Sequence, residues 1–219
     1  LRGDFRDRVF VAGNPQNQRD PFRFEISRSP EIGAVTDRFV GPGLHVVQGV
    51  ALRKDEFADE RFARAAVVHL AIPGVIDLTS PERSRLLLAA AADAADGARG
   101  SWIGADPADY LSPADVAAFE LDAELLLLSA TGITGNGASP FAGRVPLVSD
   151  FLDAGAAVVL FSLWPAGEEV AAKFAHEFYG RLETDPDVAS AFMATRQAGI
   201  DAGGATNLSA WAGFQLFIR

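Results

Sequence analysis

The chain of 219 residues lacks cysteine entirely, has only two lysines (Lys54 and Lys173), and has no apolar run near the ~20 residues that a membrane-crossing helix needs. Without cysteine, disulfide bonds, thiolate metal ligands and a thiol nucleophile are excluded. The lack of cysteine also fits a reducing cytoplasm. The three histidines, His45, His69 and His176, are scattered singly. The sequence therefore predicts no metal site and no cofactor.

Acidic residues outnumber basic ones, 29 to 19, for a net charge of -10. This balance disfavours nucleic acid and anionic membrane surfaces as partners, because phosphate binding needs clustered Lys and Arg. With 49% hydrophobic and 22% charged residues, the composition is that of a globular chain. We expect a single domain over residues 1–219. Because it begins at Leu1 and not at Met, we expect a fragment of a longer multidomain protein.

Short apolar runs alternate with amphipathic stretches, which is typical of an α/β fold with a mostly parallel sheet and helices on both faces. The predicted strands are 9–12, 44–47, 66–71, 125–129, 156–163 and 215–218, and 86–88 is a short apolar run. The predicted helices are 31–39, 54–65, a helix that begins at Ser112-Pro113, 146–154, 168–182 and 187–202. Gly155 is expected to end the fourth of them. Residues 89–110 read as an inserted surface loop with a solitary Trp102.

Two segments end predicted strands in a similar way. Val67-Val68-His69-Leu70-Ala71-Ile72-Pro73-Gly74 is the first, and Leu125-Leu126-Leu127-Leu128-Ser129-Ala130-Thr131-Gly132 is the second. They resemble the two signatures of the CHAT family, caspase-like cysteine peptidases that are often fused to TPR repeats. In that family the first signature carries a catalytic His where this chain has Pro73. The second carries the nucleophilic Cys where this chain has Thr131.

The resemblance extends along most of the chain, through 10–15, 84–89, 151–156, 160–165 and 211–214 in the family's order. It implies a caspase-like three-layer sandwich. It also implies that the catalytic dyad is missing, so we expect no peptidase activity. The family is typical of multidomain bacterial proteins tied to signalling or defence, which implies a similar setting here. The expected role is a pseudoprotease that acts as a protein-binding or regulatory module.

Neighbouring parallel strands present their carboxyl ends at one sheet edge, so positions 73 and 131 are expected within about 10 Å of each other. The vestigial groove predicted there comprises His69, Pro73, Gly74, Ser129, Thr131, Gly132 and Gly143. Its expected occupant is a protein or peptide segment, which could come from the same full-length chain. Thr131 itself is expected to be a cap or turn residue.

Other interpretations remain open at this point. Ser129 or Thr131 with His69 as base would make a hydrolase of another kind. His69 lies mid-strand, however, and a hydrogen-bonded structural role is favoured. The segment 132–137 is rich in glycine and would suit a small-molecule site, although a flexible groove rim is favoured. The carboxylates Asp77, Glu82, Asp150, Glu168 and Glu169 would either have lined a pocket for a basic side chain or form a solvated rim.

Overall fold

The computed structural model describes residues 1, 5–15, 29–89, 107–129, 131–134, 145–164, 167–203 and 211–219. Within them the strands are β1 (Val9–Pro15), β2 (Leu44–Gly49), β3 (Val67–Ala71), β4 (Gly74–Asp77), β5 (Arg85–Leu87), β6 (Tyr110–Leu111), β7 (Leu125–Leu128), β8 (Thr131–Thr134), β9 (Val158–Ser162) and β10 (Phe214–Ile218). The α-helices are α1 (Pro30–Arg38), α2 (Glu60–Ala63), α3 (Pro113–Ala117), α4 (Val148–Asp153), α5 (Glu168–Leu182) and α6 (Val188–Gly203).

The main sheet has six strands in the order β10-β9-β7-β3-β1-β2. Every neighbouring pair from β2 to β9 is parallel, and only β10 runs antiparallel, against β9. Because the parallel strands point the same way, β1, β3, β7 and β9 all end at one edge of the sheet. This arrangement confirms the predicted α/β class with a mostly parallel sheet.

A second, four-stranded sheet has the order β6-β5-β4-β8. Its strands β4 and β8 are the direct continuations of β3 and β7, and they pair in parallel. The pairs β4–β5 and β5–β6 are antiparallel. The two strands that carry the signature motifs therefore stay neighbours in both sheets.

The main sheet buries both of its faces, as its apolar strands require. On one face Phe10 and Leu126 pack with residues of α2, α3, α4 and the small sheet. On the other face Val11 and Leu127 pack with residues of α1, α5 and α6. Successive residues of each strand alternate between these two cores, which follows from the period of two in an extended chain. The three layers are those expected of a caspase-like sandwich.

Two predicted chain signals are confirmed in atomic detail. Ser112 Oγ accepts a hydrogen bond from the Asp115 N–H at 3.3 Å, and Asp115 Oδ2 accepts one from the Ser112 N–H at 2.8 Å. This reciprocal capping box begins α3. Gly155 follows α4 with φ +124°, a conformation that favours glycine. A Cβ there would overlap the carbonyl oxygen of Leu121, so both space and backbone require glycine.

Two features of the local structure differ from the predictions. The predicted helix 54–65 is instead a 3-10 helix (Lys54–Ala58) followed by α2, because Asp59 is extended and its carboxylate caps α2 through the Arg61 N–H. The short strands β4, β5, β6 and β8 were not predicted, although the apolar run 86–88 overlaps β5. Consequently the end of the expected 89–110 loop is regular: a 3-10 helix (Pro107–Asp109) leads into β6. Residues 90–106, with Trp102, lie outside the described residues.

Candidate functional site

The carboxyl edge of the main sheet brings the two signature motifs together. Strand β3 ends at Ala71 beside the end of β7 at Leu128. Just beyond, Gly74 of β4 pairs with Thr131 of β8. Pro73 is one Cα step of 3.80 Å from Gly74, and paired strands are about 5 Å apart, so the Cα atoms of Pro73 and Thr131 lie within about 9 Å. The expected proximity of positions 73 and 131 is confirmed.

Pro73 is exposed at this edge. Its side chain carries no titratable group, and its nitrogen carries no hydrogen. Its carbonyl oxygen accepts a hydrogen bond from the Leu87 N–H at 2.8 Å, which ties the turn to β5. The next residue, Gly74, is half-buried and pairs with Leu86 on one side and Thr131 on the other. Pro73 therefore contributes backbone structure to the site and no acid or base.

Thr131 is the first residue of β8, which makes the prediction of a cap or turn residue wrong. Gly132 follows in the same strand and pairs with Val75. The expected flexible rim 132–137 is therefore regular strand up to Thr134. The sequence signal for β4 and β8 is weak, because each strand has four residues and each contains a glycine. Gly135–Gly137 and Gly143 lie outside the described residues.

His69 is fully buried in a network with two other buried polar residues. Its Nδ1 lies 3.0 Å from the Tyr179 hydroxyl, and its Nε2 lies 3.1 Å from Glu31 Oε1. Burial, and secondly the charge of Glu31, raise the pKa of Tyr179 well above its usual 10.0. The phenol therefore stays protonated and is able to donate to Nδ1, in which case Nε2–H is the donor to Glu31. Both ring nitrogens are engaged, so His69 has the predicted hydrogen-bonded structural role.

Ser129 follows β7 and is 1% exposed. Its N–H donates to the Leu70 carbonyl oxygen at 3.2 Å. Its hydroxyl has no hydrogen-bond partner among the described residues. In the register of β3 and β7, His69 lies opposite Leu127, two residues before Ser129. Both nitrogens of His69 are already bonded, so the described residues supply Ser129 with no base.

Trp164, at the end of β9, is a site feature that the sequence reasoning did not single out. Trp164 is 39% exposed, whereas Trp211 is buried. Its indole ring packs against Gly213, where an added Cβ would lie 3.0 Å from the ring. Because β9 is the neighbour of β7, this exposed aromatic residue stands at the same edge as Thr131. An aromatic residue directly after a buried strand was the available signal.

The five carboxylates that were considered as the lining of a pocket for a basic side chain do not converge. Glu82 and Asp150 line one cleft of about 540 Å³. Asp77 Oδ1 accepts from the Thr79 and Ser80 N–H groups at 2.9 Å each, so it stabilises a turn. Glu168 and Glu169 are exposed in the first turn of α5. The solvated-rim interpretation describes those last two.

The remaining histidines lie away from this edge. His45 is in β2 with its Nδ1 3.0 Å from Arg61 Nη1, and His176 is exposed on α5 as predicted. No group of three or more His, Cys, Asp or Glu side chains in the described part of the chain could hold a metal ion. None of the described helices is long and apolar enough to cross a membrane.

Comparison with known protein families gives one result that covers nearly the whole chain. The family model described as "CHAT domain" matches residues 2–218. The match includes both signature strands and the strands on either side of them. No significant match to a curated protein sequence was found.

Proposed function

This chain belongs to the CHAT domain family, and from that premise we propose that it is a catalytically inactive, caspase-like pseudopeptidase that serves as a protein-binding or regulatory module. The observation that carries the proposal is the occupancy of the two neighbouring positions 73 and 131. The resemblance of the two motifs implies that Pro73 takes the place of the family's catalytic His and Thr131 the place of its Cys. The chain has no cysteine anywhere that could replace the nucleophile.

The chemistry of a cysteine peptidase needs a thiolate and a base within reach of it. Thr131 supplies no thiolate, and Pro73 supplies no base. A threonine nucleophile relies on a strong adjacent base, usually the amino group of its own chain terminus, and Thr131 is internal. His69 is the nearest histidine in sequence, and Glu31 and Tyr179 hold both of its nitrogens. These facts support a loss of peptidase activity.

A protein-binding role is supported by what remains at this edge. The predicted vestigial groove includes Pro73, Gly74 and Thr131 of this edge, and we propose that Trp164 borders it as well. Trp164 offers exposed aromatic surface of the kind enriched at protein interfaces. Strand β8 pairs with β4 on one side, and among the described strands it lies at the edge of the small sheet. An edge strand beside an aromatic wall suits an extended peptide that binds through its backbone.

We propose that the occupant is a protein segment, from the same full-length protein or from a partner. A setting in bacterial signalling or defence, beside TPR repeats in the cytoplasm, belongs to the same proposal and follows from the family alone. Pro73 limits the binding mode, because it offers no N–H donor to a peptide carbonyl group.

Site-specific photo-crosslinking tests the binding proposal. A benzoylphenylalanine replaces Trp164 in the protein expressed with its natural flanking sequence, and the matched control carries it at the exposed His176 on α5. Adducts from position 164 to one discrete peptide segment, absent from the His176 control, are expected. Equal adducts from both positions, or adducts from His176 alone, would leave the groove without a role.

A further inference from the structure

A second cleft, separate from the vestigial groove, lies between strands β5–β6 and the beginnings of α3 and α4. Its volume is about 540 Å³, and its walls include Pro81, Arg85, Tyr110, Pro113, Pro146 and Asp150. This size is within the range of ligand sites in proteins. Pro73 is not among the described residues that line it.

Arg85 distinguishes this cleft chemically. Within the described part of the chain, no carboxylate lies within salt-bridge distance of its guanidinium group. Six other arginines each have a carboxylate oxygen within that distance: Arg6, Arg8, Arg38, Arg53, Arg61 and Arg64. Arg83, Arg181, Arg196 and Arg219 also have no carboxylate within that distance in the described part of the chain, and of these five arginines Arg85 is the one that lines the cleft. Arg85 therefore retains capacity for an external anion.

The guanidinium group of Arg85 is held in a fixed place. Its central carbon lies 4.3 Å from the centre of the Tyr110 ring, and its Nη1 donates to the Glu82 carbonyl oxygen at 3.2 Å. Leu86, the next residue in β5, is fully buried, so the alternation of the strand directs Arg85 away from the core. A held, planar guanidinium loses little freedom on binding and matches a carboxylate with two parallel hydrogen bonds.

The other residues that line the cleft determine what kind of anionic ligand it can bind. Pro81, Pro113 and Pro146 have rigid apolar rings without an N–H donor. Glu82 at the rim is exposed, and its carboxylate has no partner among the described residues, while Asp150 is 8% exposed and its Oδ2 accepts from the Leu147 N–H at 2.9 Å. Two carboxylates close by disfavour a doubly charged phosphate more than a singly charged carboxylate.

We propose that this cleft binds a protein segment through one Asp or Glu side chain, with Arg85 as the cation and the proline rings as the contact surface for apolar neighbours of that residue. The charge of Arg85 selects the carboxylate. The apolar walls favour a peptide over a small free acid, because a free acid leaves those walls uncovered. The site is independent of the vestigial groove, and its failure would leave the proposed function unaffected.

Selection from a random heptapeptide library with blocked termini tests the proposal. We expect peptides with Asp or Glu to be enriched on the unaltered protein. Replacing Arg85→Gln should weaken the selected peptides about 10- to 100-fold, because a hydrogen-bonded charge pair is lost. The matched control is Arg83→Gln, which removes an exposed arginine that does not line the cleft. It should leave affinity unchanged, as should a phosphate buffer in place of an uncharged one.

Several results would overturn the inference. These are a selection without acidic enrichment, equal binding after the peptide's Glu is changed to Gln, and equal loss in Arg85→Gln and Arg83→Gln. If Arg85→Gln fails to fold, Ala114→Glu adds a repelling carboxylate to an exposed wall position at the start of α3, where acidic residues are tolerated. It should abolish binding, and Ala117→Glu, exposed on the same helix outside the cleft, should not.

Discussion

Replacing Tyr179 with phenylalanine isolates one hydrogen bond of the buried Glu31–His69–Tyr179 network. The ring stays, so its contacts with Phe39 at 4.9 Å and with Phe178 at 5.4 Å between centroids are kept. The change removes only the hydroxyl that lies 3.0 Å from Nδ1 of His69. Since Nε2–H must still serve Glu31, Nδ1 is left buried without a partner.

The expected cost follows from that unpaired nitrogen. A buried polar group without a partner destabilises by about 1–3 kcal/mol. In a chain of this size each kcal/mol lowers Tm by about 2–4 °C, so a loss of about 4–8 °C is the central expectation. Thermal and urea unfolding, followed by circular dichroism, measure both quantities.

The chain offers a matched control, because Tyr110 is its only other tyrosine. Tyr110 is half-buried, and its hydroxyl has no hydrogen bond within the described residues. We expect Tyr110→Phe to change the free energy of unfolding by less than about 0.5 kcal/mol. If Tyr179→Phe costs no more than Tyr110→Phe, the network does not stabilise the fold and the structural role of His69 is refuted.

Three further predictions concern stability. Because the pKa of Tyr179 is raised in the folded state, its contribution to stability is complete below pH 10.0, the usual pKa, and is lost as the pH rises towards the folded pKa. In that range the free energy of unfolding of the unaltered protein should fall about 1.4 kcal/mol per pH unit more steeply than that of Tyr179→Phe, and equal slopes would contradict this. Ser112→Ala should lower the free energy of unfolding by about 1 kcal/mol, because the capping box of α3 is lost. Ser190→Ala, which removes an exposed hydroxyl of α6, should leave it unchanged in urea unfolding, and equal costs would refute the cap. Gly155→Ala should destabilise by at least about 2 kcal/mol, because φ is +124° and a backbone carbonyl occupies the space that a Cβ would need. Gly33→Ala in α1 should stabilise by about 0.5–1 kcal/mol, because nothing lies near the position of its Cβ. The opposite order in thermal unfolding would contradict the backbone argument.

The sequence predicted the main sheet well because its strands are short, apolar and separated by strong turn signals. Helix α5 was predicted with its observed bounds, since its apolar residues repeat at helical spacing. The small sheet was missed because its strands have two to four residues and their pattern is set by neighbours distant in sequence. Pairing of Gly74 with Thr131 is a tertiary fact that no local pattern encodes.

The candidate site could be predicted only in part, because several of its contacts join residues that are distant in sequence. The resemblance of two motifs located Pro73 and Thr131, and parallel topology explained why they should meet. The partners of His69 could not be predicted, because Glu31 and Tyr179 are 38 residues before it and 110 residues after it in the chain. The cleft at Arg85 was equally hidden, since Tyr110 reaches it only through the unpredicted pairing of β5 with β6.

The central claim, that this CHAT domain is a pseudopeptidase, is tested most directly by exposing the purified protein to a peptide library and identifying cleavage products by mass spectrometry. We expect no turnover, including at basic residues, and no labelling by a serine-directed fluorophosphonate, with Thr131→Ala and Ser129→Ala indistinguishable from the unaltered protein. Turnover by the unaltered protein that either substitution abolishes would contradict the account.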